Sequence, residues 1–125
     1  MDMMAIRRRV IMLCAKKDGN LFDLSSVMSG TLDGYGKYSA NANRTVTDYI
    51  TLEAGTYEIT REIHSGSNWW KAYKYEIGET SGTNIFNYGS GSSRVQFTLN
   101  KAQNVRIAFD YIVSAIDNVV LKKAQ

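Results

Sequence analysis

The clearest pattern in the chain is an alternation of apolar and polar residues towards its C-terminus. Apolar side chains occupy every second position within residues 95–99, 105–111 and 119–121. A period of two indicates half-buried strands, each with one apolar and one polar face. Because short turns separate the three stretches, they predict a meander that ends an antiparallel β domain.

The same alternation predicts further strands upstream, separated by segments rich in Gly, Ser, Asn and Asp. These strands cover residues 21–24, 44–52, 56–64, 69–77 and 85–88, with a further short one near 35–40. About eight short strands, without the amphipathic helices that parallel sheets require, favour an all-β fold. We therefore predict a two-sheet antiparallel jelly-roll β-sandwich over residues 20–125.

Residues 1–19 stand apart as a short helical or irregular basic arm. Residues 1–17 carry five basic side chains against one acidic one, whereas the rest of the chain carries ten basic and eleven acidic. The basic charge therefore belongs to the arm, and we expect no nucleic-acid groove on the domain. The arm could pack on another chain or on its own domain, be disordered, or serve in targeting. Its apolar run at residues 10–13 is too short to span a bilayer and lacks a signal-peptidase pattern.

Adjacent tryptophans at positions 69 and 70 must point to opposite faces of a strand. Tyr73 is in phase with Trp69, which assigns Trp69 to the core and Trp70 to the outer face. An exposed indole could stack on the apolar face of a sugar ring, although a loop or neighbouring chain could also cover it. We take four residues as candidate ligand contacts: Trp70, Tyr73, Tyr88 and Arg106.

Outward polar residues on the predicted strands could line a concave face that hydrogen-bonds sugar hydroxyls, or could simply be solvated. They are Glu58, Thr60, Glu62, Gln96, Arg106 and Asp110. Glu58 with Glu62, or Glu76 with Glu79, could pair for glycoside hydrolysis. Nothing in the sequence fixes their separation, and we predict no catalytic residue.

Asp117 is the candidate metal ligand. It lies in phase with Val119 and Leu121, so its carboxylate starts on the buried face and needs a partner. Calcium would suit a site at a strand end, and an Arg, a backbone N–H or the solvent edge are alternatives. His64 is the sole histidine and Cys14 the sole cysteine, so we expect neither a zinc site nor an internal disulfide.

Three stretches resemble jelly-roll, galactose-binding-like carbohydrate-binding modules. They are the G-x-Y-x-hydrophobic strand at 55–60, the strand at 95–99 and the I-D-N-V-x-L strand at 116–121. The resemblance covers residues 20–122. It implies that Asp117 helps to hold a structural calcium and that aromatic residues such as Trp70 or Tyr88 contact a sugar.

Residues 4–10, followed by a lysine-rich turn, look like the start of phage or prophage structural proteins of gut bacteria. This second resemblance implies a virion or tail accessory that recognises a cell-surface carbohydrate and works in the virion or at a cell surface. Its partners would be other virion proteins, or copies of itself bound through Met1–Lys17 in a homo-oligomer. The alternative is a purely structural, self-assembling virion protein, and a small glycosidase is a third hypothesis.

Overall fold

The computed structural model of the protein describes residues 20–61, 69–88, 93–110 and 119–124. These residues form eleven strands and one 3-10 turn, Leu24–Ser26. The strands are β1 (Val27–Ser29), β2 (Thr31–Leu32), β3 (Tyr38–Ser39), β4 (Thr45–Thr47), β5 (Ile50–Leu52), β6 (Gly55–Thr60), β7 (Trp70–Tyr75), β8 (Thr83–Tyr88), β9 (Arg94–Leu99), β10 (Gln103–Phe109) and β11 (Val120–Lys123).

The strands form two antiparallel sheets and a hairpin. The large sheet has the order β1-β4-β10-β7-β8, and β5 also pairs with β10. The small sheet has the order β11-β6-β9, while β2 pairs with β3 alone. The predicted all-β sandwich is confirmed.

One apolar cluster fills the space between the two sheets. The small sheet contributes Tyr57 and Ile59 from β6, together with alternate residues of β9 and Leu121 from β11. The large sheet contributes Trp70 from β7, with Ile107 and Phe109 from β10. Burial of this apolar surface is the main force that holds the layers together.

A second cluster covers the opposite, outer face of the large sheet. Residues 30–40, here called the capping hairpin, place Leu32 against Tyr73 and Tyr75. The Tyr75 hydroxyl donates a hydrogen bond to the Gly36 carbonyl oxygen, and burial raises the pKa of Tyr75. The hairpin thus closes a face that would otherwise meet water.

The turn of the capping hairpin is shaped by Asp33. Its carboxylate accepts hydrogen bonds from the backbone N–H groups of Lys37 and Tyr35, at 3.0 and 2.8 Å. These two bonds hold the pKa of Asp33 below its ordinary value. A side chain that replaces backbone partners in this way is typical of turns that begin with Asp.

The predicted C-terminal meander is wrong. The strands themselves exist at Arg94–Leu99, Gln103–Phe109 and Val120–Lys123. However, β9 and β11 flank β6 in the small sheet, and β10 lies in the large sheet. The short connection after Leu99 crosses between layers because β10 is buried on both faces and belongs at the centre of the large sheet.

The predicted strands at 44–52 and 21–24 also differ from the structure. The single strand expected at 44–52 divides into β4 and β5. Between the two, residues 47–49 lie opposite residues 106–107 of β10, which makes a bulge of one extra residue. Thr47 fills this bulge, because its hydroxyl accepts a hydrogen bond from the Ile107 N–H at 3.0 Å. Near residues 21–24 there is no strand, and Asp23 instead caps the 3-10 turn.

The described domain is tied together near its start. The Leu21 N–H donates to the Leu121 carbonyl oxygen at 2.6 Å, and the Asn20 side chain accepts from the Leu121 N–H at 3.0 Å. The predicted arm at 1–19 lies outside the described residues. Among the residues described, no helix is long and apolar enough to cross a bilayer.

The capping hairpin provides a stability test. Gly36 has a φ of +76°, and a Cβ placed on it would lie 2.9 Å from Cδ2 of Tyr73. We expect Gly36→Ala to lower the free energy of unfolding by about 1–3 kcal/mol, because alanine there is strained in its backbone as well as crowded.

Gly34→Ala, in the same hairpin, is the control, since a Cβ there has no atom within 4 Å. It should change stability by less than about 1 kcal/mol. Urea denaturation of both variants measures the difference, and equal losses would contradict this account of the hairpin.

Candidate binding groove

A groove of about 790 Å³ opens at the surface beside the small sheet. We call it the small-sheet groove. Its charged and amide lining comes from Glu53, Glu58, Arg94, Gln96, Lys122 and Lys123. A concavity with convergent polar groups is the usual starting point for locating a binding site.

The polar floor of the groove follows from strand alternation. Along β9 exposed and buried residues alternate strictly, so Arg94 and Gln96 face outward while Val95 and Phe97 enter the core. In the register of the sheet, Glu58 on β6 lies between Gln96 on β9 and Lys122 on β11. Three neighbouring strands therefore present an amide, a carboxylate and an amine in one row.

An ion pair orders the centre of this row. The Arg94 Nε donates a hydrogen bond to Glu58 Oε2. The side chain of Glu58 is 15% exposed and that of Arg94 is 68% exposed. The pair therefore leaves the carboxylate low in the groove and the guanidinium near the solvent.

One wall of the groove is apolar and close to the edge of the large sheet. Leu21 and Leu52 contribute to it, as does Tyr57 from β6. The Tyr57 hydroxyl donates to the Glu53 carbonyl oxygen at 2.8 Å, which fixes the turn before β6 against that strand. Burial, followed by the charge of Glu53, raises the pKa of Tyr57. The groove thus combines a polar floor with an apolar side.

The predicted orientation of the tryptophans is wrong. Trp70 has 0% exposed surface and lies in the main core, where its ring packs against Phe86 and Phe109. The Arg61 guanidinium lies 4.3 Å from the centre of the Trp70 ring. Trp70 therefore presents no open face to a sugar.

The error arose because both faces of β7 are apolar. Trp70 and Ala72 pack between the sheets, while Tyr73 and Tyr75 pack under the capping hairpin. Alternation identifies the buried face of a strand correctly when the other face is exposed to solvent, and both faces of β7 are covered. Trp69 is partly exposed, with the Lys71 amine 4.9 Å from its ring centre. Burial lowers the pKa of Lys71.

Tyr73 and Arg106 are brought together, but inside the protein. They are register partners on β7 and β10, and each is 5% exposed. The Arg106 Nε donates to the Thr47 carbonyl oxygen at 2.8 Å, and its guanidinium lies 4.7 Å from the Tyr49 ring centre. Arg106 does lie on the outward side of its sheet, but it is covered there and is not a solvated polar residue.

The remaining predicted residues are not tested. The backbone of Tyr88 pairs with Trp70 at the end of β8, and its side chain is outside what the structure describes. Asp117 and Glu62 lie outside the described residues, so calcium at Asp117 stays a prediction. Within the described ranges no group of three or more His, Cys, Asp or Glu side chains is placed to hold a metal.

Four of the charged groove residues were missed from the sequence: Glu53, Arg94, Lys122 and Lys123. The alternation along 94–99 was clear enough to assign Arg94 to the outer face, together with Gln96. What the sequence could not supply was the strand order that places β9 and β11 on either side of β6.

Comparison with known proteins gives little. No protein-family model matches the chain, and no curated protein matches its sequence. Among solved structures, the chain is similar to the X-ray structure of GH31 CBM32-2 bound to GalNAc, with 14% sequence identity and a TM-score of 0.35. The match covers 82% of this chain and 94% of the other. That neighbour is a carbohydrate-binding module, and a likeness this weak carries no conclusion about the ligand of this chain.

The placement of the two tryptophans can be tested by fluorescence. In Trp69→Phe the remaining Trp70 should emit at short wavelength and be nearly insensitive to acrylamide, because it is fully buried. In Trp70→Phe the remaining Trp69 should emit at longer wavelength and be quenched more strongly. Far-UV circular dichroism confirms that each variant is folded. The opposite order of quenching would show that Trp70 is the outward residue after all.

Proposed function

We propose that this protein is a non-catalytic carbohydrate-binding domain whose ligand lies in the small-sheet groove. The observation that carries the proposal is a cluster of planar hydrogen-bonding groups on the adjacent strands β6 and β9, formed by the Glu58 carboxylate, the Arg94 guanidinium and the Gln96 amide. These groups are directional donors and acceptors for ring hydroxyls. Their backbones lie on a sheet, which is a rigid support for a binding surface.

The groove does not favour glycoside hydrolysis. That reaction requires two carboxyl groups facing each other across the scissile bond, one as the acid and one as the nucleophile or base. Of the two carboxylates in the groove, Glu53 and Glu58, the second is already paired with Arg94. Glu62, the predicted partner of Glu58, lies outside the described residues.

The proposed setting is a phage virion or tail accessory that recognises a cell-surface glycan. It rests on the resemblance of residues 4–10 alone. Docking or oligomerisation through Met1–Lys17, and the self-assembling alternative, likewise stay predictions from the sequence.

A glycan array followed by isothermal titration of the best oligosaccharide tests the proposal. Gln96→Ala should weaken binding by about three- to tenfold, since it removes one or two hydrogen bonds from the groove floor. The control is Asn87→Ala, which removes an exposed amide from β8 in the large sheet and should leave the affinity unchanged. Either an empty array or equal losses in the two variants would remove the groove as the glycan site.

A further inference from the structure

We infer that the small-sheet groove selects acidic glycans, those carrying carboxylate or sulfate groups, over neutral ones. This inference rests on the proposed function and adds the class of ligand. It rests on three features of the groove: which of its charges are already paired, the terminal nitrogens of Arg94, and the distance between Arg94 and Lys122.

The cations that line the small-sheet groove outnumber its carboxylates. The groove is lined by three cations, Arg94, Lys122 and Lys123, and by two carboxylates. One carboxylate, Glu58, is neutralised by Arg94. Within the described residues neither lysine has a carboxylate within ion-pair distance, although Lys122 is the register partner of Glu58. The groove therefore has a net positive charge and free ammonium groups to contact an anion.

Arg94 uses one of its three guanidinium nitrogens to contact Glu58. Its contact with Glu58 uses Nε, the nitrogen nearest the chain. Within the described residues its two terminal nitrogens make no hydrogen bond, and the side chain is 68% exposed. The pair with Glu58 already restricts the Arg94 side chain. Binding a carboxylate or sulfate through its other N–H groups therefore costs less conformational entropy. Glu58 thus acts as a positioning residue for Arg94.

The strand order sets the distance between the groove cations Arg94 and Lys122. Lys122 on β11 and Arg94 on β9 lie on either side of β6. Neighbouring strands are about 4.8 Å apart, and Arg94 is also offset by two residues along the strands, since it pairs with Thr60 while Lys122 pairs with Glu58. The two cations are therefore about 12 Å apart at the backbone. That separation is comparable with the length of two linked sugar rings. An oligosaccharide lying across the strands can therefore place acidic groups against both cations, with Gln96, beside Arg94 on β9, facing a hydroxyl.

Titrations with matched oligosaccharides test this inference. The probe is a uronic acid or sulfated oligosaccharide that binds on the array, compared with its methyl ester or its unsulfated form. We expect the acidic form to bind at least about tenfold more tightly, and its affinity to fall as salt is raised because the contacts are exposed charges.

Charge variants distinguish the roles of the residues. Arg94→Gln should weaken binding of the acidic form about tenfold or more, and Lys122→Gln about two- to fivefold. Glu58→Gln should preserve or raise that affinity, because it keeps an acceptor for Arg94 and removes a negative charge. Lys101→Gln is the control, since Lys101 pairs with Glu76 outside the groove. Unfolding curves of each variant confirm that the fold is intact.

The outcomes separate the inference from the proposed function. If neutral glycans bind as well as acidic ones, or if Glu58→Gln abolishes binding, the preference for acidic ligands is wrong while the glycan site stands. If no glycan of any charge binds, the proposed function fails and the inference fails with it.

Discussion

The fold depends on one strand that is dry on both sides. Six of the seven residues of β10 are buried, and β10 pairs with β4, β5 and β7. Its inner residues, such as Ile107, need the small sheet above them, and its outer residues, such as Ala108, need the capping hairpin. Burial of apolar surface makes the largest favourable contribution to the free energy of folding. Because both faces of β10 are apolar, the fold requires both the small sheet and the capping hairpin to cover it.

This constraint also decides where a ligand can bind. In the described parts of the chain, the small sheet covers one side of the centre of the large sheet and the capping hairpin covers much of the other. A buried cation, Arg106, is accommodated there by the Thr47 carbonyl oxygen and by aromatic rings rather than by solvent. Among the residues that the structure describes, the small sheet is covered on its inner face, and its outer face carries the charged and amide groups of the groove.

The sequence predicted the fold class because alternation is reliable wherever one face is wet. It succeeded on β9, where Gln96 faces out and Phe97 faces in. It failed on β7, which is apolar on both faces, so the alternation does not show which residues face the space between the sheets. Trp70 was therefore predicted to face outward and Trp69 inward, the reverse of what the structure shows. The groove could not be predicted from local pattern, because Glu58, Arg94 and Lys122 meet through pairing between strands far apart in the chain. The bulge at Thr47 likewise depends on a tertiary hydrogen bond to β10.

The central claim is that the outer face of the small sheet is the ligand surface. NMR chemical-shift mapping tests it most directly, with the isotope-labelled full chain titrated with an array-positive oligosaccharide. The account predicts that the largest shifts fall on the Gln96 side-chain amide and on the backbone amides of Glu58, Arg94 and Lys122. Shifts confined to the large sheet, around Lys71 and Asn87, would contradict it.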